Sequence, residues 1–537
     1  MSRELQLLKR ALADPDFASA TPKTQHDSGY FDYYSVRLPA NKFRGFPPSW
    51  DFAILQRMEN PPDLETIVKD AEEIAQRAIH RDKSETHLVF LSDNPHIVLH
   101  DEILFPDYLV FCIDSKYLPA LSKMPTQVHL APFSLALRKT LKSNELLSFF
   151  LNPYVRNKPV TGWRFYGRRR EVERLVASEE NFIIVGGRRI GKTSLMQEAH
   201  RRLRERNATS YYISAEACKD AGDVVQELLR TISPRETEAA VRRSKALSER
   251  FLVSLLKQIS TPSSPATIFI DELGMVLGNR QLGDDWGFLG ALRKLSQQGR
   301  LRIVFSCFQE VFVSQQTEFE GPLINFGTTM RLSVFSDSEV EDLLFPPLEL
   351  WHPAGEDRKA IRDLVLTGVG RHPLLLQYFC HALFERIATD GERGLLEDAQ
   401  RILGRDLVDC FAKPAEEIFW RLNSPTLCYI FLRHCLDTEK ARRSLLTTEI
   451  TDDWLSEVLL SIGFRSGIFS RRTLLEALEV RGLTYRAEQS SGDRQIVSCP
   501  AIYKFLKATD TDLSRTLGKF LAEIPHEGER WGLTSAK

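Results

Sequence analysis

The stretch FIIVGGRRIGKTSLM, Phe182 to Met196, joins a short apolar run to a glycine-rich loop and then to Lys-Thr-Ser. Its residues Gly186 to Thr193 satisfy the pattern G-x-x-x-x-G-K-[ST]. The pattern follows a predicted strand, Phe182 to Val185, and precedes a predicted helix. Glycines let such a loop turn its N–H groups toward a phosphate chain, and the helix N-terminus adds partial positive charge. The stretch therefore predicts a strand–loop–helix unit of an α/β protein that holds nucleotide phosphates.

The loop residues receive separate roles in this interpretation. We expect Lys192 to reach the β- and γ-phosphates of ATP and Thr193 to offer its hydroxyl to Mg²⁺. Arg188 and Arg189 are either solvated loop side chains or side chains that face a partner. The alternative to the whole interpretation is a glycine-rich turn that matches by chance. The remaining expected nucleotide contacts are Gly186, Gly187, Ile190, Gly191 and Ser194.

Two further apolar runs end in polar residues. ATIFIDELGMV contains a predicted strand, Thr267 to Ile270, after which Asp271 is expected to bind Mg²⁺ through water and Glu272 to polarise the attacking water. The alternative for these acids is a helix N-terminal pair. LRIVFSC ends in Ser306-Cys307, and Ser306 is a predicted sensor of the γ-phosphate, because ligands gather at the carboxyl ends of strands in doubly wound sheets. TSYYIS, from Thr209 to Ser214, is the predicted intervening strand.

Together these residues resemble the AAA+ and STAND (signal-transduction ATPases with numerous domains) groups of P-loop ATPases. RFYGRRREVERL, just upstream of the loop, looks like the box that these groups place near adenine. The resemblance therefore implies that Tyr166, Gly167 and Arg168 lie near the base. GGRRIGKTSL is similar to a P-loop variant common among STAND-like ATPases of bacteria and archaea.

The same resemblance extends into a helical lid. GVGRHPLLLQYFC resembles the start of a lid helix, in which Pro373 would pack near the base and Arg371 or His372 would sense the nucleotide. The alternative for His372 is a helix-start capping residue. The implied fold is an α/β P-loop core of AAA+/STAND type with a parallel sheet, a helical lid, a C-terminal winged helix and a small N-terminal α/β domain. The expected boundaries are 1–150 for the N-terminal domain, 151–330 for the core, 331–420 for the lid and 421–537 for the winged helix.

The C-terminal part has the element order of a winged helix. RRTLLEALEVRGLTYRAEQSSGDRQIVSCPAIYKFL predicts helix, strand, polar turn, strand and helix, with the turn at Gln489 to Asp493. Arg471, Arg472 and Arg481 would face DNA phosphates or form the solvated face of a packed domain. Interspersed glutamates and the nearly balanced charge of the chain favour packing.

The N-terminal part carries no recognised motif. A helix is predicted over Asp63 to His80, followed by strands at His87 to Leu91, His96 to His100 and Tyr108 to Ile113. Its role is expected to be sensing or binding a protein partner. One alternative is a metal-dependent nuclease with acids at strand ends. The other is that these polar residues have no functional role and only enter turns. The residues concerned are Asp101, Asp114, Ser115 and Lys116.

Composition excludes several classes of protein. The 71 Lys and Arg and 72 Asp and Glu nearly cancel, so the whole chain lacks the charge of a general nucleic-acid or anionic-membrane binder. No apolar run approaches the ~20 residues of a membrane-spanning helix, and the charged N-terminus does not resemble a signal peptide. We therefore expect a cytoplasmic protein without a membrane partner. The eight scattered cysteines predict buried thiols.

These observations predict a slow, Mg²⁺-dependent ATPase whose nucleotide state switches the arrangement of its other domains. The alternatives are a DNA-binding ATPase that uses its winged helix and an ATPase with a nuclease-like N-terminal effector. A homo-oligomeric ring is compatible with the resemblance. Candidate arginine fingers for such a ring are Arg280, Arg293 and Arg300, which are otherwise surface side chains.

Overall fold

The structure is a computed structural model that divides into two compact units. The first contains Met1–Val155, Glu341–Arg362 and Cys380–Ile402, and the second contains Arg156–Val340, Asp363–Phe379 and Leu403–Lys537. The structure describes residues 19–22, 31–37, 49–55, 66, 69, 86–92, 110–114, 152–234, 245–277, 287–307, 326–351, 358–389, 394–486, 495–510 and 512–535.

A parallel five-stranded sheet forms the core of the second unit. Its order is β10-β6-β9-β8-β7, so the three strands that lead into the predicted site lie side by side in the middle. The α/β core with a parallel sheet is thereby confirmed, and the predicted strands of the core are present. The strands are β6 (Phe182–Val185), β7 (Ser210–Ser214), β8 (Ala266–Asp271), β9 (Leu301–Cys307) and β10 (Thr328–Arg331).

Apolar clusters cover both faces of this sheet. Every residue of β8 and β9 is buried, which explains their continuous apolar runs. Side chains alternate between the faces, with Ile268 in one cluster and Phe269 in the other. The cluster of Ile268 is completed by α3 (Ala221–Ile232), α4 (Lys245–Ile259) and α6 (Gly287–Gln297), and the other by α1 (Arg169–Ala177) and α2 (Lys192–Glu205). The short helix α5 (Gly274–Leu277) follows β8.

The C-terminal region is largely helical, as predicted. Two small antiparallel sheets accompany the helices, in the orders β11-β14-β13 and β12-β15. The helices are α7 (Asp337–Trp351), α8 (Arg358–Gly368), α9 (Pro373–Thr389), α10 (Leu395–Gly404), α11 (Leu407–Ile418), α12 (Pro425–Lys440), α13 (Asp452–Ser461), α14 (Ile468–Val480), α15 (Pro500–Thr509) and α16 (Leu513–Glu527). The strands are β11 (Glu449–Ile450), β12 (Phe464–Ser466), β13 (Thr484–Arg486), β14 (Gln495–Val497) and β15 (Leu533–Ser535).

The order predicted for the winged helix is helix, strand, strand and helix. The described elements α14, β13, β14 and α15 follow this order, and β13 pairs with β14 in antiparallel register. The predicted turn from Gln489 to Asp493 lies outside the described residues. The assignment of this region to the winged-helix class stays a prediction, as do the four domain boundaries.

The first unit contains a five-stranded sheet in sequential order. Its first three strands are antiparallel, and the third, fourth and fifth are parallel to one another. Two predicted strands correspond to β4 and β5. The predicted helix from Asp63 to His80 is described only at Thr66 and Lys69, which are helical, and the predicted strand at His96 to His100 lies outside the described part. The strands are β1 (Ser19–Pro22), β2 (Phe31–Arg37), β3 (Ser49–Leu55), β4 (Thr86–Ser92) and β5 (Val110–Asp114).

The predicted nuclease residues are mostly not described. Asp114 is the last residue of β5, opposite the last residue of β4 in the register. Asp101, Ser115 and Lys116 lie outside the described residues, so this alternative stays untested.

Candidate nucleotide site

The glycine-rich loop connects β6 to α2, at the carboxyl edge of the parallel sheet. Ile190 is 1% exposed and belongs to the apolar cluster under the loop, which anchors it. Gly191 has a φ of 102°, a left-handed conformation that favours glycine, and α2 begins at the next residue. A β-carbon on Gly187 would lie 2.7 Å from the Val480 carbonyl oxygen. Glycine is therefore required where another segment approaches the loop closely.

Lys192 is buried at the start of α2. Its ammonium group donates hydrogen bonds to the carbonyl oxygens of Gly186 (3.0 Å) and Gly187 (2.9 Å). Burial lowers the pKa of Lys192, and the nearby Glu272 and Asp271 carboxylates offset part of that fall. A buried cation satisfied by loop carbonyls is well placed to exchange them for phosphate oxygens.

Asp271 lies at the end of β8 and is 1% exposed. Its Oδ2 accepts a hydrogen bond from the Tyr212 hydroxyl at 2.8 Å, and its Oδ1 accepts one from the Ser306 hydroxyl. The Glu272 N–H also donates to Oδ1, at 3.0 Å. The structure thus brings Asp271, Glu272 and Ser306 together. The two carboxylates lie close enough to Lys192 for their charges to act on its pKa.

Glu272 follows in an unusual backbone conformation. Its φ is 58°, in the left-handed region that non-glycine residues rarely adopt. Its N–H donates to the Ser306 hydroxyl at 2.8 Å, which ties the strained residue to β9. Burial raises the pKa of the Glu272 carboxyl, although the charge of Lys192 acts in the opposite direction. The carboxyl group is half-buried and projects from the carboxyl edge of the sheet.

The other predicted residues of the loop and its helix lie nearby. Thr193 is half-buried in the first turn of α2. The Ser194 hydroxyl accepts a hydrogen bond from the Val160 N–H at 3.1 Å, so it fastens the upstream segment to α2.

The upstream box packs against the segment after β10. Gly167 has a φ of 67°, and a β-carbon there would lie 3.0 Å from the Phe335 ring. The Arg168 N–H donates to Glu339 at 2.7 Å, and its guanidinium donates to the Ser333 carbonyl and lies over the Phe335 ring. Tyr166 is buried beside them. Arg168 therefore has protein partners in this structure, and the adenine contact of the box stays a prediction.

The predicted lid residues lie beside the C-terminal region. Pro373 begins α9, and His372 is fully buried, with burial lowering its pKa to about 3. His372 Nδ1 accepts the Leu374 N–H at 3.3 Å, which is the capping role considered for it. Arg371 forms an ion pair with Asp337 and lies over the Tyr485 ring, 4.6 Å from its centre.

A contact that the sequence did not predict joins the loop to the C-terminal region. The Gly187 N–H donates to the Val480 carbonyl at 2.8 Å, at the end of α14. Arg188 Nε and Arg189 Nε both donate to Glu417 Oε2 on α11, at 3.1 and 3.2 Å. We call these hydrogen bonds the C-terminal contact.

Glu417 is the acidic centre of the C-terminal contact. Its side chain is 8% exposed, and Arg421 adds a third cation at 3.6 Å. Burial by itself would raise the pKa of Glu417, but hydrogen bonds from Arg189 and Arg188 outweigh it and hold the pKa below its usual range. At neutral pH Glu417 is therefore an anion held between the two arginines of the loop. Arg188 and Arg189 thus pair with a segment of their own chain while staying 48% and 37% exposed, and whether they face a partner stays a prediction.

The other arginines singled out in the sequence mostly have protein partners. Arg471 donates to Asp452 at 2.8 Å, and Arg481 donates to the Leu422 carbonyl at 3.0 Å. Arg472 stays 60% exposed, with Glu476 at 3.7 Å. Arg300 donates to the Ser260 carbonyl at 2.8 Å, Arg293 lies on α6, and Arg280 is outside the described residues.

The described residues also bear on the predictions about membranes, metal ions and cysteines. No described helix is long and apolar enough to cross a bilayer. No group of three or more acidic, histidine or cysteine side chains in the described part forms a metal-binding cluster. Seven cysteines have described side chains; all are in the thiol form, and six of them are buried.

Comparisons with known proteins give a distant likeness to solved structures. No family model and no curated protein matches the chain. A Walker-type ATPase of Pyrococcus abyssi is 16% identical, with 65% of this chain and 99% of that chain covered and a TM-score of 0.42. The ORC2 protein of Aeropyrum pernix, solved in ADPNP-ADP complexes, is 13% identical over 69% and 97%, with a TM-score of 0.44. The ORC1 protein of Aeropyrum pernix, solved with DNA, is 15% identical over 67% and 95%, with a TM-score of 0.33. Likeness at this distance assigns no ligand or partner to the chain.

Proposed function

We propose that this chain is an ATP-binding, Mg²⁺-dependent ATPase of the AAA+ and STAND kind that works as a nucleotide-dependent switch. The proposal of ATPase activity is supported by one observation: the P-loop, Asp271, Glu272 and Ser306 lie together at one edge of the sheet. Such a convergence of cation, carboxylates and hydroxyl suits phosphoryl transfer, which depends on positioning and electrostatic stabilisation.

The residues present fit a nucleotide with Mg²⁺. This ion takes few protein ligands and keeps several waters, so one hydroxyl and one carboxylate suffice beside phosphate oxygens. Thr193, in the first turn of α2, and Asp271, at the end of β8, supply that pair. Thr193 and Asp271 would hold Mg²⁺, which would supply positive charge to offset the charge that develops on the phosphates.

Three residues of the site have separate roles in the proposed hydrolysis. Lys192 exchanges its loop carbonyls for phosphate oxygens, and Glu272 orients a water and accepts its proton. Ser306 fixes both the Asp271 carboxylate and the Glu272 backbone, so it holds the two acids at a constant separation. These roles require no movement of the sheet.

Two substitutions test the ATPase. Lys192→Ala should weaken the binding of a fluorescent ATP analogue by about one to two orders of magnitude, because it removes charge-assisted hydrogen bonds. Glu272→Gln should bind the analogue normally and lower turnover by about a hundredfold. Binding is measured by fluorescence anisotropy and turnover by phosphate release. Normal binding and hydrolysis by both variants would contradict the proposal.

The switch rests on the C-terminal contact. A nucleotide whose phosphates attract the loop cations competes with Glu417 for Arg188 and Arg189. A ligand shifts an equilibrium only by its different affinity for the two states, and this competition supplies such a difference. ATP binding would therefore release α11 and α14 from the loop, and hydrolysis would restore the contact. The DNA-binding alternative receives less support, because Arg471 and Arg481 have protein partners.

Glu417→Gln tests the switch. The variant removes the negative charge that binds both arginines, so we expect it to tighten ATP binding by about tenfold, within the range of a charge-assisted hydrogen bond. The matched control is Glu416→Gln, one residue earlier on α11, whose side chain is 56% exposed and pairs with Arg421 at 3.1 Å. Unchanged or weaker ATP affinity in Glu417→Gln would contradict the competition.

A further inference from the structure

The Asp271 carboxylate is held by more hydrogen bonds than a simple metal ligand requires. Oδ1 accepts from the Ser306 hydroxyl and the Glu272 N–H, and Oδ2 accepts from the Tyr212 hydroxyl at 2.8 Å. An ionised carboxylate offers about four lone-pair positions. Among the described residues three of these positions are filled, which leaves one position on Oδ2, beside the Tyr212 hydroxyl.

Tyr212 is fixed in place by the core. It stands on β7, where its Cα is opposite Phe269 of β8, and it packs against the apolar cluster under α2. The His200 ring of α2 lies 6.2 Å from the Tyr212 ring, and His200 is itself bonded to the Ser210 hydroxyl at 2.8 Å. Tyr212 therefore connects the helix of the P-loop to the carboxylate at the end of β8.

The phenol of Tyr212 remains a hydrogen-bond donor. It donates to Asp271 Oδ2 at 2.8 Å. A neutral hydroxyl beside a buried anion donates its proton to the anion, which fixes the direction of the bond.

We propose that Tyr212 is a positioning residue of the nucleotide site, which leaves one lone pair of Asp271 Oδ2 directed at a Mg²⁺-bound water. This inference rests on the proposed ATPase function and adds a residue to its metal site. Without the hydroxyl, Oδ2 has two open positions and the carboxylate can rotate away from the ion. Groups that orient a metal-binding carboxylate typically change metal affinity or activity by about ten- to a hundredfold.

Tyr212→Phe tests the inference because it removes a single oxygen atom. Mg²⁺ is titrated into the full-length protein with the fluorescent ATP analogue, in the Glu272→Gln background to prevent turnover. We expect the Mg²⁺ concentration for half-maximal tightening of analogue binding to rise about tenfold. Analogue affinity in EDTA should stay unchanged, because Tyr212 acts only through Asp271. Thermal melting checks that the variant is folded.

Tyr211→Phe is the matched control, since it removes the same atom from the adjacent residue of β7. An unchanged Mg²⁺ titration in Tyr212→Phe, or an equal shift in Tyr211→Phe, overturns the inference. If the parent protein fails to bind the analogue at all, the proposed ATPase function fails instead. Binding by the parent that is insensitive to Mg²⁺ also overturns the inference. A lower melting temperature with an unchanged titration would assign Tyr212 a purely structural role.

Discussion

Buried charges around the loop are each compensated by protein partners, and those of Lys192 can be replaced by phosphate oxygens. Lys192 uses two loop carbonyls, and Glu417 uses Arg188 and Arg189. Removing one partner of a buried charge costs several kcal/mol, of the order of 3–5, whereas exchanging partners costs much less. The resting loop is therefore stable without phosphate but remains able to accept it.

A buried histidine in the C-terminal region predicts acid sensitivity of the fold. His434 on α12 is 2% exposed, and its ring lies edge-on to Trp454 at 5.0 Å. Burial lowers its pKa to about 4, despite a hydrogen bond with the Thr448 backbone. An unfolded histidine titrates near 6.5 (roughly the model-peptide value), so between these pH values the unfolded chain binds more protons. The free energy of unfolding should therefore fall as the pH drops from about 6.5 to about 4.

His434→Gln tests this prediction by urea denaturation across that pH range. The variant should lose less stability per pH unit than the parent, by about 1.4 kcal/mol per unit at most. His372 titrates in the same direction and remains, so the slope should become shallower without reaching zero. His526→Gln, an exposed substitution on α16, should keep the parent slope. Equal slopes in the parent and His434→Gln would refute the assignment.

The elements of the core were predictable because their signals are local. β6, β8 and β9 are buried on both faces, so each contains an uninterrupted apolar segment, at 182–185, 268–270 and 303–305. Their parallel arrangement then brings the residues at their carboxyl ends together. The placement of Lys192, Asp271 and Ser306 at one edge follows from this rule. The short strands β1, β2 and β3 were not predicted, because polar residues interrupt their apolar patterns.

Contacts between elements that are far apart in the chain could not be predicted from the sequence. Glu417 lies 229 positions from Arg188, and no periodicity relates the two. Tyr212 and Asp271 are 59 positions apart and meet only because β7 pairs with β8. Arg481, directly after α14, resembled a surface cation in the sequence, yet it donates a hydrogen bond to the Leu422 carbonyl. Such partners depend on how helices pack, which composition and spacing do not encode.

At the scale of the second unit, nucleotide binding and the position of the C-terminal helices are thermodynamically linked. If release of the C-terminal contact favours ATP, then ATP favours release by the same factor. The contact joins the loop to two separate helices, α11 through Glu417 and α14 through Val480. A single phosphate-binding event would therefore act on both helices together.

This linkage predicts a change in amide hydrogen exchange. In Glu272→Gln with ATP and Mg²⁺, exchange should rise along α11 and at the C-terminal end of α14, because both helices lose their hydrogen bonds to the loop. Lys192→Ala should show no such change with the same ligands. Glu417→Gln should show raised exchange in α11 without nucleotide, whereas Glu416→Gln should match the parent. Slower exchange in both helices on addition of ATP would mean that the nucleotide strengthens the contact, and the direction of the switch would have to be reversed.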